Sequence, residues 1–338
     1  MRAFHSDAIE RVLHMPRIRL ANWPTPLDGI SHPQLGRVLI KRDDLSGFGA
    51  EGRSGVKARK LEGLLAHLKN GRIPRFVMPL GNITSIAFDL SRTTESLGID
   101  ARYLIVDDPP LAPDKRREIF KAIGERAQLV GPSYSAAAAR LLGALIASWP
   151  AGTRTMIAAP SPSHPTAIAG VVRGYIEAMQ QAADADGSFP RTVYIAAASG
   201  STAAGLVLGE ALMRAAGAPP VEIAAVQVVP EPVSLWLPWL VRWTSWYWKL
   251  GPLPDLKSIS VIKNRRHTRY GRFDNTHEET CKRVHEQFGI SIDPIYGGKC
   301  WTVLEERECA FRERKHRPAL FWHCGYTPNW RDYRAHLV

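Results

Sequence analysis

With 338 residues, 45% of them hydrophobic and 22% charged, the chain can bury one large core or two smaller ones, and its length favours two subdomains. Lys and Arg outnumber Asp and Glu by 44 to 32, a formal net charge of +12 that attracts anions. There is no zinc-finger spacing and no RNP-like aromatic motif, and the basic residues are scattered except between Lys263 and Arg272, which argues against nucleic acid as the partner. Cysteines 281, 300, 309 and 324 show no CxxC spacing, so neither a zinc site nor a disulfide framework is expected. The first fifteen residues hold no apolar signal core, and no uninterrupted apolar run reaches membrane-spanning length. A cytoplasmic protein without a membrane partner is the expectation.

Residues 1 to 38 read as an irregular lead-in punctuated by Pro16, Pro24, Pro26 and Pro33, followed by a short strand from Val38 to Lys41. A helix is predicted from Lys57, because Leu61, Leu64, Leu65 and Leu68 recur at three- and four-residue spacing. Strand and helix then alternate: strands at Arg75 to Leu80, Arg102 to Val106, Ala127 to Val130 and Arg154 to Ala158, with helices at Asn82 to Leu97, Pro113 to Ile123 and Ser135 to Ser148. A long helix from His164 to Ala183 leads to further strands at Thr192 to Ala198, Val221 to Val229 and Pro318 to Trp322. Such alternation predicts parallel sheets covered by helices on both faces. Trp236, Trp239, Trp243 and Trp246 recur at helical spacing, with Pro238 among them as a predicted kink, and suit a subunit interface or a wall over the active site.

Lys57 is the first candidate for chemistry. Five glycines, at 36, 47, 49, 52 and 55, precede it, and Arg59 and Lys60 follow it. A lysine where a Gly-rich loop feeds a helix can approach a ligand closely, and its amine becomes nucleophilic if burial or neighbouring cations lower its pKa. Residue type alone equally suits a solvated basic helix start. Gly81 to Ser85 lies at a strand-to-helix turn, where N–H groups and short polar side chains face a ligand or where Asn82 simply caps the helix. Ser199-Gly200-Ser201-Thr202, after a strand and opening a helix, has the small residues and hydroxyls of a phosphate cradle. Tyr270 and Tyr296 each precede a glycine.

The wording around these positions resembles the 1-aminocyclopropane-1-carboxylate deaminase and D-cysteine desulfhydrase family, pyridoxal-phosphate enzymes of the tryptophan-synthase-β-like fold. The resemblance runs from PTPL at Pro24, through IKRDDL at Ile40 and SGVKARKLE at Ser54, to the loop His323 to Pro328, with five motifs in family order. It implies two α/β subdomains with parallel or mixed sheets, fold type II of pyridoxal-phosphate enzymes. Residues 1–50 and 160–338 would form the larger, cofactor-binding one and 51–159 the smaller. Lys57 becomes the Schiff-base lysine. Asn82 becomes the contact to the cofactor ring hydroxyl, with Thr84 or Ser85 as substrate contacts, although counting from Asn82 puts Gly81 in the serine position. Ala198, Ser199, Gly200, Ser201 and Thr202 become the phosphate loop, and Tyr270 and Tyr296 face the substrate. Gly297 stands where the deaminases carry a glutamate near the pyridine nitrogen, so Cys324 becomes the nitrogen's neighbour. Val56 and Tyr326 also depart from the family pattern, replacing an asparagine and a glycine.

These readings imply a homodimeric lyase or deaminase that uses pyridoxal 5'-phosphate on a small, β-substituted amino acid and releases ammonia and a 2-oxo acid. A β-replacement synthase and a non-catalytic relic of the fold are the alternatives. The departures predict weak turnover of the cyclopropane substrate, because a neutral partner at the pyridine nitrogen makes a poorer electron sink than a carboxylate.

Overall fold

The computed structural model describes residues 6–49, 55–81, 86–106, 123–130, 154–158, 162–185, 187–229, 232–251, 258–263, 271–310 and 317–327, with isolated positions between 113 and 143. The lead-in is not irregular, as the sequence had suggested. Ser6 caps helix α1 (Asp7–Leu13) by accepting from the Ile9 N–H at 3.2 Å, and Ile9 and Val12 bury one face of it. Strand β1 (Leu27–His32) then pairs antiparallel with β2 (Gly36–Arg42). Prolines marked the turns around these elements and hid the elements themselves.

Two sheets organise the described residues. One has four strands in the order β5-β4-β3-β6, all parallel: β3 (Arg75–Gly81), β4 (Asp100–Val106), β5 (Ala127–Leu129) and β6 (Thr155–Ile157). The other has six strands in the order β1-β2-β10-β7-β8-β9, parallel from β2 onward, adding β7 (Thr192–Ala197), β8 (Glu222–Gln227), β9 (Ile259–Lys263) and β10 (Ala319–His323). β10 slots between β2 and β7, so the last described strand joins the start of the chain to its second half.

Helix α2 (Val56–Asn70) packs Leu61, Leu64, Leu65 and Leu68 against Phe76, Met78 and Leu80 of the smaller sheet and against Leu90 of α3 (Ile86–Ser96). Burying leucines of this kind stabilises by about 1.5–3 kcal/mol each. Its other neighbour is the long α4 (Pro165–Ala185). Gly170 of α4 lies against the Arg59 carbonyl so closely that any Cβ would overlap it, which brings the two helix backbones together. α5 (Ser201–Ala215) and α6 (Val233–Trp248) share the core of the larger sheet with α4. α7 (Asn275–Phe288) and α8 (Gly297–Ala310) help form a further apolar cluster with that sheet. β9, α7 and α8 went unpredicted, although Asp274 caps α7 through a reciprocal bond with His277 that a sequence can suggest. The predicted helices at 113–123 and 135–148 fall largely outside the described residues.

Candidate active site

From Gly55 to Ala66 every residue is buried except Lys57, which is partly exposed in the first turn of α2. The helix start is held from the far end of the chain. Gly55 has φ +56°, and a Cβ there would overlap the backbone carbonyl of Cys324, so only glycine permits the approach. The Val56 N–H then donates to that same Cys324 oxygen at 2.8 Å. Lys57 and Cys324, 267 positions apart in the chain, are thereby neighbours, and the charge of Lys57 is felt at the Cys324 thiol.

One residue on from Arg59, Lys60 is buried and donates through Nζ to Ser201 Oγ at 3.2 Å. Ser201 opens α5 behind Gly200, whose φ of +79° turns the strand-to-helix connection, and Ser199 Oγ lies 3.1 Å from Ser201 Oγ. The first turn of α2 thus touches both the Ser199 to Thr202 loop and the Cys324 segment. Burial lowers the Lys60 pKa to about 8; Cys324 acts the other way and the charge of Lys57 adds to the lowering. Burial pushes the Cys324 thiol well above its ordinary range, so it stays protonated, and it donates to the Trp322 carbonyl at 3.7 Å.

Arg59 behaves differently from the expectation that it tunes Lys57. It points into a buried network beneath the helix. Its Nη2 donates to Asp43 Oδ1 at 2.7 Å and to Glu177 Oε1 at 2.9 Å, and its Nε to Asp43 Oδ2 at 2.9 Å. Lys41, wholly buried, donates to Glu177 at 2.6 Å, to Gln181 at 2.7 Å and to the Thr25 carbonyl at 2.6 Å. Thr25 Oγ1 and Trp322 Nε1 also donate to Asp43. Burial alone would raise the Asp43 pKa, but the Arg59 charge and hydrogen bonds outweigh it and hold the carboxylate below its usual value. The IKRDDL wording is therefore structural in part: Lys41 and Asp43 face this network while Arg42 pairs with Asp28 and Asp44.

On the opposite side, Tyr296 precedes α8 and its N–H donates to Asp293 Oδ1 at 2.8 Å. Gly297 is the first residue of α8, and a Cβ there would come within 2.9 Å of Ile292 Cβ, so a glutamate at this position would displace Ile292. The imidazole of His323 is buried, with Nε2 2.9 Å from the Ser291 carbonyl and Nδ1 accepting from Gly325 N–H at 3.4 Å, which selects the Nε2–H tautomer. Of the residues singled out in the sequence, Lys57, Ala198, Ser199, Gly200, Ser201, Thr202, Tyr296 and Cys324 are described; Asn82, Thr84, Ser85 and Tyr270 lie outside the described residues.

No protein-family model matches the chain. It is 28% identical over 330 residues to a Pyrococcus horikoshii protein named "Putative 1-aminocyclopropane-1-carboxylate deaminase", covering 95% of each. It is 25% identical over 342 residues to the D-cysteine desulfhydrase of Klebsiella pneumoniae subsp. pneumoniae, covering 98% of this chain and 100% of that one. The chain is a divergent relative of these proteins. Among solved structures, an ACC deaminase homologue superposes with a TM-score of 0.79 at 20% identity, covering 98% of this chain and 100% of that one. Threonine deaminase isoform 2 of Solanum lycopersicum gives 0.62 at 16% identity over 97% and 86% of the two chains. Cysteine synthase of Entamoeba histolytica gives 0.60 at 15% identity over 96% and 88%. The fold is the tryptophan-synthase-β-like one, type II among pyridoxal-phosphate enzymes.

The residues present fit such a cofactor. An amine of lowered pKa is buried against a Ser/Gly/Ser/Thr turn at a helix N-terminus, an arrangement that favours a phosphate anion, and a partly exposed lysine stands three residues before it on the same helix. The contact of Lys60 with the Ser199 to Thr202 turn was not legible in the sequence, because its partner Ser201 is 141 positions away. Against the expected tryptophan stripe, α6 runs through Pro238 without ending. Its buried face presents Val233 and Leu240 to the Gly200 turn, and Trp243 meets His164 edge-on at 5.5 Å. Leu235, Trp236, Trp239 and Trp246 face solvent, Trp246 at 76% exposure, so most of the stripe is not core. Among the described residues no group of three metal-ligating side chains occurs, and no helix is long and apolar enough to cross a membrane.

Proposed function

We propose that the chain is a pyridoxal-phosphate-dependent lyase that acts on a small β-substituted amino acid and releases ammonia and a 2-oxo acid. The observation that carries this reading is the meeting of three segments at the start of α2: Lys57 as the one partly exposed residue, Lys60 on the Ser199 to Thr202 turn, and Cys324 against Gly55 and Val56. Its near-full-length relation to the D-cysteine desulfhydrase supports the substrate class.

In this reading Lys57 would hold the cofactor, and its Nζ would be the group that moves the substrate's α-proton. When bound, pyridoxal phosphate supplies the electron sink for the carbanion formed at the α-carbon. Ser199 to Thr202 and Lys60 hold the phosphate: backbone N–H groups and hydroxyls orient it, and the Lys60 amine neutralises it. Asn82 contacts the ring hydroxyl, and Thr84 or Ser85 the substrate carboxylate. Tyr296 and Tyr270 face the substrate, where a phenol can relay a proton to a leaving group. Cys324, kept neutral by burial, would be the neighbour of the cofactor's ring nitrogen and would offer it no negative charge. The larger unit, 1–50 with 160–338, would bind the cofactor, with Lys57 and the phosphate turn near its boundary with 51–159, and 51–159 would include the Gly81 to Ser85 substrate loop.

Gly297 and Cys324 leave no carboxylate at those two positions, so the electron sink would be weaker, sufficient for expelling a good β-leaving group and not for opening an unactivated cyclopropane. Steady-state assays with a β-substituted alanine and with 1-aminocyclopropane-1-carboxylate test this. Pyruvate from the first with little 2-oxobutyrate from the second is expected; efficient 2-oxobutyrate release would overturn the substrate assignment.

A further inference from the structure

Two of the segments assigned to the site, Tyr296 and Cys324 to Thr327, lie on different elements, 28 residues apart from Tyr296 to Cys324. One side chain joins them. Asp293 is 1% exposed, and its Oδ1 accepts from the Ile295 N–H at 3.0 Å and the Tyr296 N–H at 2.8 Å. Its Oδ2 accepts from the Thr327 N–H at 3.3 Å, and its own carbonyl accepts from the Gly298 N–H at 2.7 Å. The carboxylate therefore clasps the turn that enters α8 with one oxygen and the segment after β10 with the other. Burial raises the Asp293 pKa, and the backbone donors on its carboxylate together with the buried Lys299 nearby act against that rise.

We infer that Asp293 is a positioning residue that fixes the substrate-facing Tyr296 and the Cys324 segment as one unit. The inference rests on the reading of those two residues given above, but the clasp itself is a property of the fold and can be tested without turnover. A buried carboxylate stripped of hydrogen bonds is costly, so three N–H donors converging on it hold both segments in register. Because Cys324 O in turn receives the Val56 N–H, a loosened clasp is felt at the first turn of α2, beside Lys57.

The substitution Asp293→Asn separates the two halves of the clasp. The amide oxygen can keep the Ile295 and Tyr296 donors, while its NH2 confronts the Thr327 N–H donor against donor. Peptide-resolved alkylation of the four thiols by iodoacetamide reads the consequence, with the buried Cys300 as the control for global loosening and Cys281, which also feels the Asp293 charge, as the control for the lost charge itself. Cys324 should react roughly tenfold faster or more in the variant, the opening expected from losing one charge-assisted hydrogen bond, and by more than Cys281, while Cys300 keeps its rate. In turnover assays the same variant should lose kcat and raise KM together. An unchanged Cys324 rate would overturn the inference, as would an acceleration of Cys324 no greater than that of Cys281, which reports the lost charge alone, or than that of Cys300, which reports global loosening. If the variant does not fold, hydrogen exchange on the unmodified protein decides: protection of the Tyr296 and Thr327 amides to a common level supports the clasp, and free exchange at Thr327 overturns it. A protein that shows the thiol response but no cofactor absorbance retains the clasp and loses the functional reading.

Discussion

Arg59 and Lys60 are adjacent on one helix, both cationic and both buried, yet their surroundings are opposite. Arg59 meets Asp43 and Glu177, and although burial alone would lower its pKa, those carboxylates raise it above its usual value. Lys60 meets a serine hydroxyl and a neighbouring lysine, and burial brings its pKa down to about 8. On the Arg59 side the fold supplies its own counter-charges. On the Lys60 side the contact is a serine hydroxyl at the start of α5, where the proposed function would place the cofactor's phosphate.

Breaking the first side should cost the most. Replacing Arg59 with Met leaves Asp43 buried among its remaining donors and Glu177 to Lys41, and removing one member of a buried pair costs about 3–5 kcal/mol. Urea unfolding should show that loss in the midpoint; a change below about 1 kcal/mol would erase the contrast between the two residues.

The same change at Lys60 should act in the other direction. Lys60→Met removes an amine that the folded, anion-free protein holds at a pKa of about 8 instead of 10.5, so the penalty relieved below pH 8 is about 3 kcal/mol. The sign follows from proton counts. Between pH 8 and 10.5 the unfolded chain binds more protons at Lys60 than the folded one, so stability rises with pH across that window and is level below it, where both states hold the proton and the full penalty applies. Lys299, also lowered to about 8 by burial, behaves likewise, so the difference between wild type and Lys60→Met isolates Lys60. Meanwhile pyridoxal phosphate should bind the variant roughly 10- to 100-fold more weakly, the worth of one charge-assisted bond to a phosphate. A variant that is less stable than wild type below pH 8 yet binds the cofactor normally would put Lys60 with Arg59 among structural residues.

The smallest effect is expected on the surface of α6. Trp246→Ser removes a ring that is 76% exposed, so thermal stability should shift by no more than about 0.5 kcal/mol, whereas the buried Trp322, which donates to Asp43, is part of the core network.

How much of this was legible depends on whether the information was local. The α2 periodicity, the strand-to-helix turn at Gly200 and the alternating strands are short-range patterns, and the sequence displays them. The motif wording located Lys57 and Cys324. What it could not display is which face each charge takes. Arg59 and Lys60 look alike in a basic run, and only the crossing of α2 with α4, where Gly170 meets Arg59, sends one to Glu177 and the other to Ser201. Helix α1 and the β1 hairpin strand were hidden by prolines at their margins, and β9, α7 and α8 by motif wording that drew the reading to single residues. The Asp293 clasp joins residues 34 apart: the segment from Asp293 to Lys299 resembles a family motif, but nothing in the sequence ties its aspartate to Thr327.

The central claim is that Lys57 is the covalent anchor of a pyridoxal-phosphate site. Borohydride reduction of the protein purified with pyridoxal phosphate, followed by peptide mass spectrometry, tests it most directly. The cofactor mass should appear on the peptide containing Lys57, at about one per chain, and should be lost in Lys57→Ala with the fold intact. An adduct on Lys60 or Lys299 with Lys57 unmodified, or no adduct on the folded protein, would contradict it.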